Sequence, residues 1–295
     1  MSSLGGTPPV VLTIASTDSG GAAGIAADLA TIGHLGAHGA CVVSAVTAQD
    51  TTGVHGVHPV PVEVVEAQLD AVFGDLPVAA VKTGMLGSAA VVELVARRVR
   101  AAKVPLVVDP VLVATSGAVL GDVEVVQAYR EHLLRVATVA TPNADEAAAL
   151  LGHDGSVRML AHALAERGHP VLVTGGESGS DWLAVPGEEL REIAHTPVRT
   201  TNDHGTGCTH SSALATLLAH GLPLGEAAAL AASYTAGQLV TSSRWHLGRG
   251  RGPVAHTTPL HPPQPLHLPL QRPLQIPVLP EDPVQTATTS SGARP

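Results

Sequence analysis

Short apolar, β-branched runs alternate along the chain with longer segments in which apolar residues return every three or four positions. Val10–Ser16, Ala40–Val46, Ala79–Thr83, Pro105–Val111, Ala137–Ala140 and Pro170–Thr174 read as strands. Several are apolar nearly throughout, as strands covered on both faces are. Between them, Ile25–Leu35, Val62–Val72, Ala89–Ala102, Val123–Leu134, Asp145–Leu151 and Val157–Arg167 read as helices. Val64, Val65, Gln68, Leu69 and Val72 show the spacing of one buried helical stripe. Gly36, Gly152 and Gly168 fall where such helices should stop. This alternation predicts an α/β fold with a central, mostly parallel sheet flanked by helices on both faces. Asp181–Val185 and Glu192–Val198 look like shorter strands near a sheet edge, followed by helices at Gly207–His220 and Leu224–Thr241.

The chain has 295 residues, 45% hydrophobic and only 2% aromatic, with a formal net charge of −9. Ala, Val and Leu supply a large core. Scarce rings and net negative charge argue against a nucleic-acid partner, which needs basic stripes and stacking platforms. Cys41 and Cys208 lie too far apart in sequence for a disulfide framework. The apolar run Val10–Ala15 is too short for a signal segment, and no stretch is long enough to cross a bilayer. These features predict a cytoplasmic protein with reduced thiols and no membrane partner. From Pro259 onward prolines recur too often for helix or central strand, so 1–9 reads as a flexible N-terminus and 259–295 as a Pro-rich disordered tail. One domain is left, 10–258.

The strongest chemical signal is His204-Gly-Thr-Gly-Cys-Thr-His210. Gly205 and Gly207 permit a tight turn around Thr206, and a helix that begins there presents unpaired N–H groups and a positive dipole end. Such a turn is an anion hole. Cys208 lies in the first turn, where the dipole is expected to favour a thiolate. The same residues also suit a plain helix start with a small buried Cys. Asn143 and Glu146 have the spacing of a capping box, while Glu146 is also the type of ligand that holds hydrated Mg²⁺. Asp109 ends a strand, where open α/β sheets gather ligand groups, although it is equally a turn residue before Pro110.

Other constellations are weaker. Gly20, Gly21 and Gly24 lack dinucleotide-fingerprint spacing, and no Gly-Lys pair exists for a phosphate loop. The only lysines are Lys82 and Lys103. Gln49 and Met85, just past two strands, suit a polar edge reader and an apolar wall for a flat heterocycle. Sixteen histidines are present, but none has zinc-site spacing with a carboxylate; His55 and His58 read as loop residues.

Together these motifs resemble the ribokinase-like superfamily and, within it, the hydroxymethylpyrimidine/phosphomethylpyrimidine kinases of thiamine biosynthesis. The resemblance runs from Val10 to His256. It is carried by Leu12–Ile25 with Ala27-Asp28-Leu29, Ala45–Val54, Lys82–Leu86, Val108–Val111, Ser116-Gly117, Thr141–Ala147, His204–Thr209 and Gly248–His256. It implies a three-layer fold and transfer of a phosphoryl group from ATP, with Mg²⁺, to a small-molecule pyrimidine and then to its monophosphate. By resemblance, Cys208 is the catalytic base and Gly205, Thr206 and Gly207 the anion hole. Asn143, Thr174 and Thr206 would serve the nucleotide phosphates, and Glu146 and Asp109 the metal. Gln49, Met85, Val111, Ala23 and Ser16 would contact the pyrimidine. A homodimer is also expected on this ground.

Some positions depart from the family's pattern: Ser16, Ala22, Ala26 and Thr47, and Thr115 and Thr174 where many members carry Lys. These leave two alternatives, a pyridoxal kinase or a non-catalytic pyrimidine binder.

Overall fold

The computed structural model describes residues 6–112 and 122–256. The predicted tail 259–295, along with Thr115, Ser116 and Gly117, lies outside the described residues. Strand β1 (Val10–Ala15) is buried at every position, because it runs parallel between β2 (His38–Val43) and β5 (Val78–Thr83). Its alternation sorts side chains between two cores: Val10, Leu12 and Ile14 join one, Val11 the other. The sheet continues in parallel through β6 (Leu106–Val108), β7 (Val139–Ala140) and β8 (Val171–Val173). It closes with β9 (Ser180–Ala184) and β10 (Arg191–Ala194), each antiparallel to its predecessor.

Helices cover both faces. Helices α1 (Gly24–His34), α7 (Thr206–Ala219) and α8 (Leu224–Ser242) pack Ile32, Leu214, Ala228 and Ala231 over the face that carries Val11. On the other side, α2 (Val62–Asp75), α3 (Ala89–Ala102), α4 (Val123–Ala128), α5 (Ala144–Leu151) and α6 (Val157–Glu166) bury Leu69, Leu94, Val125, Leu150 and Leu160. The three-layer α/β architecture expected from the sequence is the one found.

Several element ends shift by one to three residues, and three differences from expectation change the layout. Val123–Leu134, expected as one helix, is α4 followed by a wider π-helical turn at Tyr129–Leu133 that lets Tyr129 Oη reach the carbonyl of Gly84 at 3.2 Å. The expected strand Glu192–Val198 pairs only as far as Ala194. Ala40–Val46, expected as one strand, is interrupted at Ser44. There the backbone N–H bonds Ala15 O and Oγ bonds Met85 O at 2.6 Å, and the chain leaves the main sheet. It then forms a separate antiparallel hairpin, β3 (Ala45–Asp50) and β4 (Gly53–Pro59). His55 and His58 therefore lie on a strand, not in a loop.

Strand order is β10-β9-β8-β7-β6-β5-β1-β2. The chain steps from β2 across β1 to β5, so connections diverge to opposite sides between β1 and β5. Open α/β sheets leave a crevice at such a reversal, outside the carboxyl ends of the strands.

Candidate active site

Successive strand ends deliver the lining of that crevice. Ser16 and Asp18 follow β1, Gly84 and Met85 follow β5, Asp109 follows β6, Thr141 and Asn143 follow β7, and Thr174 follows β8. The start of α7 adds Gly205, Thr206, Gly207 and Cys208, and the hairpin adds Thr47, Gln49 and Val54 from above. The hairpin is held there by Thr47 N–H and Oγ1 bonding Thr17, and by Ser19 Oγ bonding Gln49 O at 2.6 Å. A register shift between Ala48 and Gln49 sets Gln49 opposite Val54, and both line the cleft. The residues to which the resemblance gives a site role, Ala23 and Val111 included, line this one cleft.

Gly205 is fixed by the backbone. It has φ +89°, and a Cβ there would sit 1.8 Å from Ala22 O, so no other residue fits. Gly207 differs: its added Cβ would meet nothing nearer than Asp109 Oδ2 at 3.8 Å and would stand in the open cleft. The N-cap supplies no side-chain bond to the first-turn N–H groups of α7. These amides and the bare Gly207 surface form a cradle for an anion.

Asn143 and Glu146 do form the capping box: Asn143 Oδ1 accepts from Glu146 N at 2.9 Å and Glu146 Oε2 from Asn143 N at 3.0 Å. Both nevertheless face the cleft. Burial, then the neighbouring Asp109 carboxylate, pushes Glu146 up to about 8. Asp109 is raised too, by burial first, while Lys82 and the Ser211 hydroxyl oppose the shift. Two crowded, buried carboxylates at the phosphate end are the donor set a hard dication relieves, and Mg²⁺ takes one or two carboxylates with water and phosphate oxygens for the rest. No cage of three His, Cys, Asp or Glu groups exists among the described residues.

The expectation of a thiolate at Cys208 is overturned. The residue lies half-buried at the cleft floor, and desolvation pushes its thiol up to about 12. Lys82 pulls the other way, but Asp28 and Asp109 add to the rise. The helix dipole is real, yet desolvation of the sulfur, with two carboxylates nearby, outweighs it.

Four contributing residues carried no assigned role in the sequence. Lys82 is fully buried, with Nζ 2.7 Å from Asp28 Oδ1 and 4.0 Å from Asp109 Oδ2. Asp28 also accepts from Thr13 and Ser212. Asp18 accepts from Gly20, Ala22 and Ala23 N–H, which shapes the β1–α1 loop, and His204 lies against it at 3.3 Å. Burial raises Asp18, but the His204 bond and the loop amides outweigh it and the net shift is downward. The motif spacing placed Lys82 and His204 near the chemistry; only the fold pairs them with Asp28 and Asp18.

A second groove opens beside the first and shares Asn143, Thr174, Asp203, Thr206 and Gly207 with it. Val198, Ala232, Ala236 and Leu239 give it apolar walls. The anion cradle thus stands between a cleft with a polar floor and a groove with apolar walls, an arrangement that could hold two reactants side by side.

Comparison with known proteins agrees with this geometry. The family model described as phosphomethylpyrimidine kinase matches residues 18–255. The chain belongs to that family. Among its relatives, the hydroxymethylpyrimidine/phosphomethylpyrimidine kinase of Rhizobium meliloti (strain 1021) is 44% identical over 84% of this chain and 96% of that protein. The phosphomethylpyrimidine kinase crystal structure from Clostridium difficile 630 shares the family's fold at a TM-score of 0.68, with 32% identity over 78% of this chain and 98% of that one. Pyridoxal kinase from Staphylococcus aureus, solved with pyridoxal, superposes at a TM-score of 0.76, 32% identical over 85% and 94% of the two chains.

Proposed function

We propose that this chain is a hydroxymethylpyrimidine/phosphomethylpyrimidine kinase, phosphorylating 4-amino-5-hydroxymethyl-2-methylpyrimidine and then its monophosphate at the expense of ATP in thiamine biosynthesis. One observation carries the reading: in a member of this family, the α7 cradle lies between two concave sites and has Cys208 at its floor. Phosphoryl transfer needs positioning and charge neutralisation more than covalent chemistry from the protein.

In this reading the pyrimidine occupies the cleft between Met85, Val111 and Ala23, with Gln49 at its polar edge and Ser16 beneath. Thr47 spends its hydroxyl on Thr17 O at 2.7 Å, so its polarity is satisfied within the protein. The nucleotide lies in the adjoining groove, with Asn143, Thr174 and Thr206 near its phosphates. First-turn amides at Gly205–Gly207 receive the migrating group's equatorial oxygens. Asp109 and Glu146 would hold Mg²⁺, which when bound supplies positive charge that offsets phosphate repulsion and eases ionisation nearby.

Cys208 takes the proton of the acceptor hydroxyl. Because it rests as a thiol, it acts as a base only after releasing its own proton to solvent in the open cleft, a loss that neutralising Asp109 favours, with the buried Lys82 as the standing counter-charge. The second phosphorylation starts from an acceptor that is already an anion and needs no such base. No helix among the described residues is long and apolar enough to cross a membrane. The reading includes a cytoplasmic location and a homodimer built on a 10–258 kinase domain, the homodimer drawn from the family resemblance alone.

ADP release measured with and without added hydroxymethylpyrimidine tests the proposal. Pyrimidine-dependent release supports it; preferred turnover of pyridoxal would make the chain a vitamin B6 kinase, and no release with either would leave a binder.

A further inference from the structure

Gln49 Nε2 lies 2.7 Å from His204 Nε2, and the same imidazole nitrogen lies 3.3 Å from Asp18 Oδ2. One ring nitrogen carries either a proton or a lone pair, and the two neighbours make opposite demands on it. Asp18 decides the matter. Its Oδ2 already accepts from Ala22 and Ala23 N–H and its Oδ1 from Gly20 N–H, the pattern of an ionised carboxylate. A lone pair on Nε2 would face that carboxylate; an N–H is attracted to it. With a proton on Nε2, an amide NH₂ cannot stand 2.7 Å away, so the Gln49 amide must turn its carbonyl oxygen to the ring. Oxygen and nitrogen of an amide have nearly the same shape, and the hydrogen-bond network is what tells them apart.

We infer that His204, held by Asp18, is a positioning residue that fixes the Gln49 amide with Oε1 toward the imidazole, leaving NH₂ as the end that reads an acceptor nitrogen on a heterocycle. The assignment of proton and amide stands on this geometry alone. Its consequence for substrate choice deepens the pyrimidine-kinase reading and rests on it. An amide free to rotate can match either donor–acceptor order on a ring edge. Once fixed, it matches one. Discrimination between a 4-amino ring, which offers a ring-nitrogen acceptor, and a 4-oxo ring, which offers an N–H donor there, therefore becomes a property of a side chain that need not touch the ring. His204 itself is seated by backbone: its N–H donates to Gly252 O and its carbonyl accepts from Val254 N–H, both at 3.0 Å.

The test has two arms. In the full chain without ligand, imidazole ¹⁵N spectra assigned through His204→Gln should show Nε2 bearing a proton; an unprotonated Nε2 would overturn the inference whatever the enzyme phosphorylates. In the kinetic arm, Gln49→Glu keeps an acceptor toward His204 but removes the NH₂. It should raise KM for 4-amino-5-hydroxymethyl-2-methylpyrimidine by about tenfold or more while kcat changes much less, because a site left without its donor rejects the ring. An unchanged KM would mean that the oxygen, not the NH₂, does the reading, and the inference would fail. His204→Leu should reduce the preference for the 4-amino over the 4-oxo ring by about tenfold, and His204→Gln, which retains an N–H, should keep most of it. Should His204→Leu not fold, the spectra and Gln49→Glu still decide. A wild-type chain that turns over neither pyrimidine would count against the kinase reading and leave the proton assignment standing.

Discussion

Lys82 Nζ lies 2.7 Å from Asp28 Oδ1 with neither side chain exposed, joining the carboxyl end of β5 to α1 behind the site. Val81 belongs to the α2–α6 core, so the next residue along the strand turns to the opposite, α1/α7 face. Burial disfavours the ammonium, yet the Asp28 carboxylate, with Asp109 beyond it, holds Lys82 above its ordinary value. Removing one member strands the other charge. Lys82→Met should therefore cost ~3–5 kcal/mol in urea unfolding, and Lys82→Met with Asp28→Leu should cost less than Lys82→Met alone. A double replacement as damaging as the sum of the singles would show that the pair is not coupled.

The two glycines of the α7 turn should respond differently. Gly205→Ala drives a methyl into Ala22 O at a positive φ, so the protein should lose stability and activity together. Gly207→Ala meets no protein atom closer than 3.8 Å, so its melting temperature should stay within a few degrees of wild type. Turnover should still fall by roughly 10²-fold, since the methyl fills the cradle proposed to stabilise the transferred group. Equal thermal destabilisation of the two variants would remove the distinction.

Much of this layout was legible because local rules and global fold agree. Strand ends could be read from apolar runs, and in an α/β protein the residues just past them collect at one edge; that is why Asp109, Asn143 and Thr174 fall around one cleft. The β3–β4 hairpin was hidden. Its exposed strand Gly53-Val-His-Gly-Val-His-Pro59 has glycines and histidines where alternation would give a signal, and its position depends on side-chain bonds from Thr17 and Ser19. Cys208 was misjudged for another reason. A helix start is visible in sequence, but the burial that desolvates the sulfur is not, and Asp28 and Asp109 reach its surroundings only through the fold, where Asp109 is bonded to Ser211, 102 residues away.

Cys208→Ala should separate the two half-reactions. The alcohol must lose a proton, whereas the monophosphate is already an anion. A positioned base contributes about 10²–10⁴-fold, so the first phosphorylation should fall by at least ~10²-fold and the second by less than about tenfold. Single-step assays started from hydroxymethylpyrimidine or from its monophosphate give the two numbers. Equal losses would assign Cys208 to binding or packing.

Glu146 links activity to stability through pH. Its carboxyl is held at about 8 in the folded protein against an ordinary value of 4.5, so the native state keeps a proton that the unfolded chain releases. A raised folded value means stability is full below about 4.5 and declines as pH climbs towards 8, levelling above it. Burial of Asp109 adds a slope of the same sign. Glu146→Gln keeps an oxygen for the Asn143 N–H and cannot ionise, so urea midpoints should change less between pH 5 and pH 8 than in wild type. At pH 8 the variant should be more stable by on the order of 1–2 kcal/mol, roughly 2–8 °C in Tm. Its kinase activity should drop at every pH, because the group that costs stability when ionised is also the one that would hold the metal. A variant less stable than wild type at pH 8 would mean that the Glu146 carboxylate is already satisfied in the unliganded protein, and the argument for a cation between Asp109 and Glu146 would lose its basis.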